Sequence, residues 1–348
     1  MMKKEGPEKI NRIYLQWHLT NKCNNGCKHC YQHTHQGEDV RLDDADAIIG
    51  DFLECCDAFD ALPVIALTGG DPMLHNHFWD ILAKVKAASQ SLTKFSCVSI
   101  LGNPELLDER NISMLAKFNL KHFQLSIDGM EKKHDEIRYK GSFQRTMQAI
   151  RDLSKAGIPV YIMSTLSAHN FREMFDVMKA VYDNGAQHWM FARWVPNQGD
   201  CGIPANEYMR FIKKILEEHL QYEKKGYKQL RKEPLIAICR QDSLGIEQGV
   251  VSGGCGMGSS TMTMLPDKTL MACRRHPGSI IGKWSPKSNF LYHFVDNPKM
   301  EKYRRVEEIE GCRECKLLKY CRGCRAVAYV ATGSDFKHDP QCLLHCHN

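Results

Sequence analysis

Cys23-Asn24-Asn25-Gly26-Cys27-Lys28-His29-Cys30 places three thiols at C-x3-C-x2-C spacing. Such a trio can ligate three irons of a [4Fe–4S] cube and leave the fourth open. An open iron can chelate a small molecule through an amine and a carboxylate, which a site closed by four cysteines cannot do. With 16 Cys in 348 residues, chance supplies roughly 0.03 such triplets. A zinc site is the alternative, with His29, His33 or His35 as the fourth ligand. A second cysteine-dense stretch follows: Cys312-x2-Cys315-x5-Cys321-x2-Cys324, with Cys255 and Cys273 before it and Cys342 and Cys346 after it. Spacing of this kind suits zinc as well as iron.

The elements that must position these thiols are legible as six strand–helix units. Apolar or β-rich runs at 12–20, 63–69, 95–103, 122–129, 159–166 and 188–196 predict strands. Segments of helical period lie between them at 44–60, 75–90, 104–117, 132–156, 170–184 and 206–224. Strict alternation argues an α/β fold with a parallel sheet covered by helices. Six such units make a partial (β/α)6 TIM-like barrel, whose chemistry sits at the C-terminal ends of the strands. The first cysteine triplet falls just after the first strand, where that rule places it. A basic stretch near 224–232 marks a change of composition. The simplest partition is a barrel of residues 1–228 and a cysteine-rich C-terminal domain of 229–348, with a hairpin turning at Pro266-Asp267.

The remaining bounds are broad. No apolar run approaches the roughly 20 residues a membrane-spanning helix needs, and the charged N-terminus lacks signal-peptide features. A cytoplasmic chain is expected, in a compartment where clustered cysteines bind metal rather than form disulfides. A net charge of +6 does not by itself make a nucleic-acid binder. Cys55, Cys56, Cys97, Cys201 and Cys239 have no ligand spacing and read as core or helix-face thiols. His75 and His77 read as solvated residues at a helix start.

With these residues in view, the chain resembles the radical S-adenosylmethionine superfamily, and its C-terminal part resembles the SPASM-type extension. Cys23, Cys27 and Cys30 match the cluster-binding triplet, and Tyr31 matches the aromatic that accompanies it. Thr68-Gly69-Gly70-Asp71-Pro72 resembles the family's Gly-Gly-Glu-Pro segment, with Asp in place of Glu. That implies a grip on the methionine amine; a plain turn capped by Asp71 is the alternative. Leu125-Ser126-Ile127-Asp128-Gly129 resembles the Ser-Ile-Asp-Gly segment of peptide-modifying members. By the same resemblance Ser126 and Arg138 contact the cofactor, Arg138 pairing with its carboxylate. Gly102, Asn103, Ser164 and Thr165 are weaker candidates for cofactor contact, and Arg193 and Trp194 for the substrate cavity.

The SPASM pattern departs at two points: Lys268 stands where Gly is expected, and Cys321-x2-Cys324 is one residue short. The resemblance implies one auxiliary cluster on Cys312, Cys315, Cys321 and Cys342. It implies another on Cys255, Cys273 and Cys324, with Cys346 or a substrate as the fourth ligand. The cofactors implied are therefore S-adenosylmethionine, one [4Fe–4S] cluster that binds it and two auxiliary clusters.

The implied reaction is reductive cleavage of S-adenosylmethionine to a 5′-deoxyadenosyl radical that takes hydrogen from a peptide or protein side chain. An electron donor such as a flavodoxin or ferredoxin would be the partner; neither nucleic acid nor membrane is expected. Arg274 stands where sulfatase-maturing members carry Asp after the second cysteine, which argues against formylglycine formation. Only 22 residues precede Cys23, too few for a winged peptide-recognition domain. The alternatives are a small-molecule radical enzyme, for instance one remodelling a tetrapyrrole, and a non-catalytic metal-binding module.

Overall fold

The computed structural model describes residues 10–32, 36–90, 97–196, 199, 201–244, 255–318 and 320–345. Six parallel strands, β1 (Arg12–Thr20), β2 (Leu62–Gly69), β3 (Cys97–Leu101), β4 (His122–Ser126), β5 (Val160–Leu166) and β6 (His188–Arg193), alternate with helices. The helices are α1 (Leu42–Asp57), α2 (Phe78–Gln90), α3 (Glu109–Ala116), α4 (Glu131–Ile137), α5 (Ser142–Lys155), α6 (Met174–Asp183) and α7 (Ala205–Glu223). This is the expected α/β partial barrel followed by a cysteine-rich region.

The inner and outer faces of β1 follow from its period of two. Ile13, Leu15, Trp17 and Leu19 form the face with no exposure that joins the main core, while Tyr14, Gln16 and His18 share the opposite, inner face. The helices cover the outer face through stripes such as Ile48, Phe52 and Cys55 of α1. Cys56 and Cys201 are buried as well, in keeping with core thiols.

Two features were not legible in the sequence. The expected helix over 132–156 is two helices, α4 and α5, broken at Arg138–Gly141. Gly141 adopts a left-handed φ of 84°, and the Asp135 carboxylate accepts from the backbone of Gly141 (2.6 Å) and Phe143 (2.9 Å), restarting the helix. The break turns Arg138 toward the cysteine loop. The second feature is a continuous nine-stranded sheet in the order β6-β5-β4-β3-β2-β1-β7-β8-β9. The hairpin of β7 (Thr261–Met264) and β8 (Thr269–Met271), extended by β9 (Ile280–Lys283), docks with β7 parallel to β1. The barrel sheet therefore runs on across residue 228.

The hairpin turn explains the Gly expected at position 268: Lys268 has a left-handed φ of 70°. Its ammonium lies 2.7 Å from Asp44 of α1, which tethers the turn to the barrel. The C-terminal region adds α8 (Ile236–Leu244), α9 (Phe290–Val295), α10 (Pro298–Glu301) and α11 (Arg325–Thr332). No helix among the described residues is long and apolar enough to cross a membrane.

Candidate functional site

Cys23, Cys27 and Cys30 sit together, half-buried, on the loop after β1, and three anchors hold that loop. The first is the Gly-Gly turn after β2. A Cβ at Gly69 would stand 2.3 Å from the Thr20 carbonyl oxygen, and one at Gly70 would stand 2.1 Å from that of Lys22. Only glycine permits this approach, and the amides of Gly70 and Asp71 donate to those same carbonyls at 2.9 and 2.8 Å. The glycines thus admit the chain's own cysteine loop, a use the sequence did not reveal.

Asp71 takes the role of the turn cap that the sequence also offered. The carboxyl has no exposure and accepts from the amides of Met73 (2.8 Å) and Asn103 (2.9 Å), capping the turn and tying the end of β2 to that of β3. Burial pushes its pKa up to about 6, against those two hydrogen bonds. Asn103 is the second anchor: its amide group donates to Asn24 Oδ1 at 2.8 Å and reaches Cys23 Sγ at 3.9 Å.

The third anchor is Arg138, and here the partner differs from the expected one. Its Nε and Nη2 both donate to Asp128 Oδ2 at 2.7 Å, and its Nη1 points at Cys27 Sγ, 3.6 Å away. One edge of the guanidinium is thus committed to protein, which leaves only the outer edge for a ligand. Asp128 has no exposure; burial alone would raise its carboxyl, but Arg138 and His29 outweigh burial and hold it below the usual range. Its other oxygen accepts from the Thr165 amide at 2.7 Å. The Ser-Ile-Asp-Gly segment therefore serves the cysteine loop through Asp128, a residue the sequence reading passed over. Ser126, half-buried at the end of β4, faces the same rim.

Other candidates are committed to the fold. Ser164 donates to the Ile127 carbonyl (2.5 Å) and accepts from Trp189 (2.9 Å). His75, expected in solvent, is buried and hydrogen-bonded to the Val40 carbonyl at 2.8 Å. Arg193, expected at a substrate cavity, is 1% exposed and grips Glu233 (2.8 Å), Asp339 (2.6 Å) and Gln341 (2.7 Å). Those partners flank the C-terminal cysteines, and Asp339 also accepts from the Cys324 amide at 2.7 Å. Arg193 thus clasps β6 to the C-terminal region. A run of apolar and basic residues cannot reveal a partner some 146 positions away in sequence.

The C-terminal cysteines separate into two groups. Cys312, Cys315, Cys321 and Cys342 line one small cavity with Leu235, Ile238, Leu317 and Leu344. Cys255, Cys273 and Cys324 form the other group, within electrostatic reach of one another and of Lys232. Arg275 donates to Cys324 Sγ at 3.7 Å and to the Arg193 carbonyl at 3.1 Å. Burial pushes the thiols of Cys23, Cys255, Cys312 and Cys342 up to about 11. Metal therefore has to displace protons on binding. Among the described residues no three His, Cys, Asp or Glu side chains converge on a single ion. Four thiols around the Cys312 cavity are a donor set that a multi-iron cube can use. Cys346, His33 and His35 lie outside the described residues.

Tyr31 connects the two ends of the site. It follows Cys30, is 37% exposed, and the guanidinium of Arg274, next to Cys273, lies 4.4 Å from its ring centroid. Tyr31 is therefore within electrostatic reach of Cys30 of the N-terminal triplet and Cys273 of the Cys255 group.

The comparisons agree with this arrangement. The family model described as the radical SAM superfamily matches residues 17–181. The AdoMet-dependent heme synthase of Nitratidesulfovibrio vulgaris (strain Hildenborough) is 26% identical over 361 residues, 94% of this chain and 91% of that protein. The sporulation killing factor maturation protein SkfB of Bacillus subtilis (strain 168) is 30% identical over 169 residues, 48% of this chain and 39% of that protein. The solved structure of anSMEcpe with bound AdoMet superposes with a TM-score of 0.75 at 16% identity, covering 96% of this chain and 95% of that one. Residues 17–181, a barrel with the cysteine triplet at its rim, are a radical SAM superfamily domain by that family model, which makes the chain an enzyme that uses a [4Fe–4S] cluster and S-adenosylmethionine.

Proposed function

We propose that the chain oxidatively modifies a peptide or protein side chain after removing a hydrogen atom from it. The observation that supports this reading is the closeness of Tyr31 to members of both cysteine groups. Tyr31 and Arg274 link the Cys23, Cys27 and Cys30 triplet to the Cys255, Cys273 and Cys324 group. Bound at the first site, the cluster and S-adenosylmethionine supply a carbon-centred acceptor for a substrate hydrogen atom.

Each residue set has a distinct task in this reading. Cys23, Cys27 and Cys30 hold three irons, and Asn103 and Arg138 direct N–H groups at their sulfurs, tempering the negative charge. The outer edge of Arg138, Ser126 and Tyr31 are left to orient S-adenosylmethionine. The residues of 229–348 act as a second domain. In it Cys312, Cys315, Cys321 and Cys342 hold one auxiliary cluster, and Cys255, Cys273 and Cys324 hold another whose remaining corner is filled by Cys346 or substrate. Held there, auxiliary clusters would supply an acceptor for the electron left on the substrate after hydrogen removal. A flavodoxin or ferredoxin supplies the electron that starts each cycle.

A second reading has a specific support: the heme synthase aligns with 94% of this chain and SkfB with 48%. It makes the substrate a tetrapyrrole at the same site. The test incubates the anaerobically reconstituted holoprotein with reductant, S-adenosylmethionine and either peptides encoded beside its gene or a carboxylated porphyrin. Formation of 5′-deoxyadenosine with loss of two hydrogens from a peptide supports the first reading. Porphyrin turnover replaces it with the second. No 5′-deoxyadenosine under strong reductant removes both.

A further inference from the structure

Three side chains from separate parts of the chain converge beside the cysteine triplet without satisfying one another. His18 stands on the inner face of β1, with no exposure and with both ring nitrogens lacking a hydrogen-bond partner. Its ring centroid is 6.3 Å from that of Tyr31. Arg274 lies over the other aromatic partner of this trio, Tyr31, and its buried Nε has no hydrogen-bond partner either. Among the described residues no carboxylate pairs with the Arg274 guanidinium. By contrast Arg138 and Arg193 are both neutralised by aspartate, and Arg275 is turned to Cys324 Sγ and the Arg193 carbonyl.

Buried polar atoms are nearly always paired, and leaving one unpaired is unfavourable. Two such groups side by side, one cationic and one able to donate or accept, mark a place that something else completes. Burial and the Arg274 charge lower the His18 pKa well below its usual value, so the imidazole is neutral and offers one N–H and one acceptor. A guanidinium next to a neutral N–H donor, walled by an aromatic ring, has the chemistry of a carboxylate site.

We infer that Arg274 and His18 form an anion-binding corner that takes a carboxylate of the substrate and so presents an adjacent C–H to the radical. This rests on the proposed radical chemistry and narrows its substrate class to acids. Arg274 supplies the charge and His18 one hydrogen bond. The carboxylate could belong to an acidic side chain or to a small polycarboxylate. Either source meets the same two residues.

The test is isothermal titration of the reconstituted holoprotein with S-adenosylmethionine bound. The probes are acetyl-Gly-Glu-Gly-amide, its Gln counterpart and coproporphyrin III. The acidic peptide should bind at least about tenfold tighter than the amide, or coproporphyrin III should bind and weaken with added salt. The first outcome assigns a peptide acid and the second a small polycarboxylate. Arg274→Gln should erase the acid-over-amide preference or weaken coproporphyrin about tenfold. Arg274→Lys should retain part of it, and His18→Leu should lose about fivefold. Equal binding of the Glu and Gln peptides together with coproporphyrin binding that is absent or indifferent to Arg274→Gln would overturn the inference. The wild-type comparison stands whether or not a variant folds. Holoprotein that cleaves S-adenosylmethionine without preferring acids fails this inference alone; one that prefers acids without cleaving it fails only the reading beneath.

Discussion

The two cysteine regions use the same thiol chemistry but borrow their rigidity from different places. The N-terminal triplet hangs on a loop whose backbone is pinned by Gly69, Gly70, Asn103 and Arg138, all at the ends of barrel strands or helices. Among its described residues, the stretch holding Cys312, Cys315 and Cys321 has turns but no helix or strand, and closes on bonds such as Cys315 N–H to the Cys312 carbonyl (3.0 Å). Its cysteines are more buried, and one arginine, Arg193, clasps it to the barrel. The difference predicts that the front loop keeps its shape without metal, whereas the rear region depends on metal and a buried ion network to hold its own.

The largest effects should come from breaking each region at its cysteines. Cys27→Ala should abolish 5′-deoxyadenosine formation and change the unfolding free energy by no more than about 0.5 kcal/mol, as expected for a preformed loop. Cys321→Ala should do the reverse, lowering stability and rear iron while some S-adenosylmethionine cleavage survives. Equal loss of stability in both variants would erase the distinction.

Next in size is the clasp. Arg193→Met strands Glu233 and Asp339 in a site with at most 1% side-chain exposure. Removing one partner of such a network costs about 3–5 kcal/mol, readable by urea unfolding, and iron bound to the rear cysteines should fall with it. The corresponding change in front, Arg138→Met, should cost less, about 1–3 kcal/mol. Its guanidinium is 14% exposed, and Asp128 keeps the Thr165 amide. Its loss should show more clearly as weakened S-adenosylmethionine binding.

The smallest effect concerns the hairpin that joins the regions. At the left-handed position 268, Lys268→Gly relieves backbone strain while Lys268→Ala keeps it, and both lose the pair with Asp44. The glycine variant should therefore be about 1 kcal/mol more stable than the alanine variant by denaturant unfolding.

What the sequence disclosed tracks how local the determinants are. Cysteine spacing, the period-two face of β1 and the alternation of strands with helices are short-range signals, and they located the fold and the thiols. The partners of Asp71, Arg138 and Arg193 depend on chain segments brought together only by folding. Asp71 holds backbone amides, Arg193 holds buried carboxylates, and Arg138 holds buried Asp128 with one edge left over. His18 drew no notice in sequence because a lone histidine on a strand is ordinary; only its unpartnered burial distinguishes it. The glycine expected at 268 was a legible signal, and its cause, a left-handed turn, became visible only in the fold.

The most direct test of the central claim is an iron and sulfide count after anaerobic reconstitution, in the wild type and in a variant with Cys23, Cys27 and Cys30 all changed to Ala. Three separate cysteine groups predict about twelve irons in the wild type and about eight in the variant. About four in the wild type and none in the variant would contradict it, leaving the rear cysteines without the clusters assigned to them.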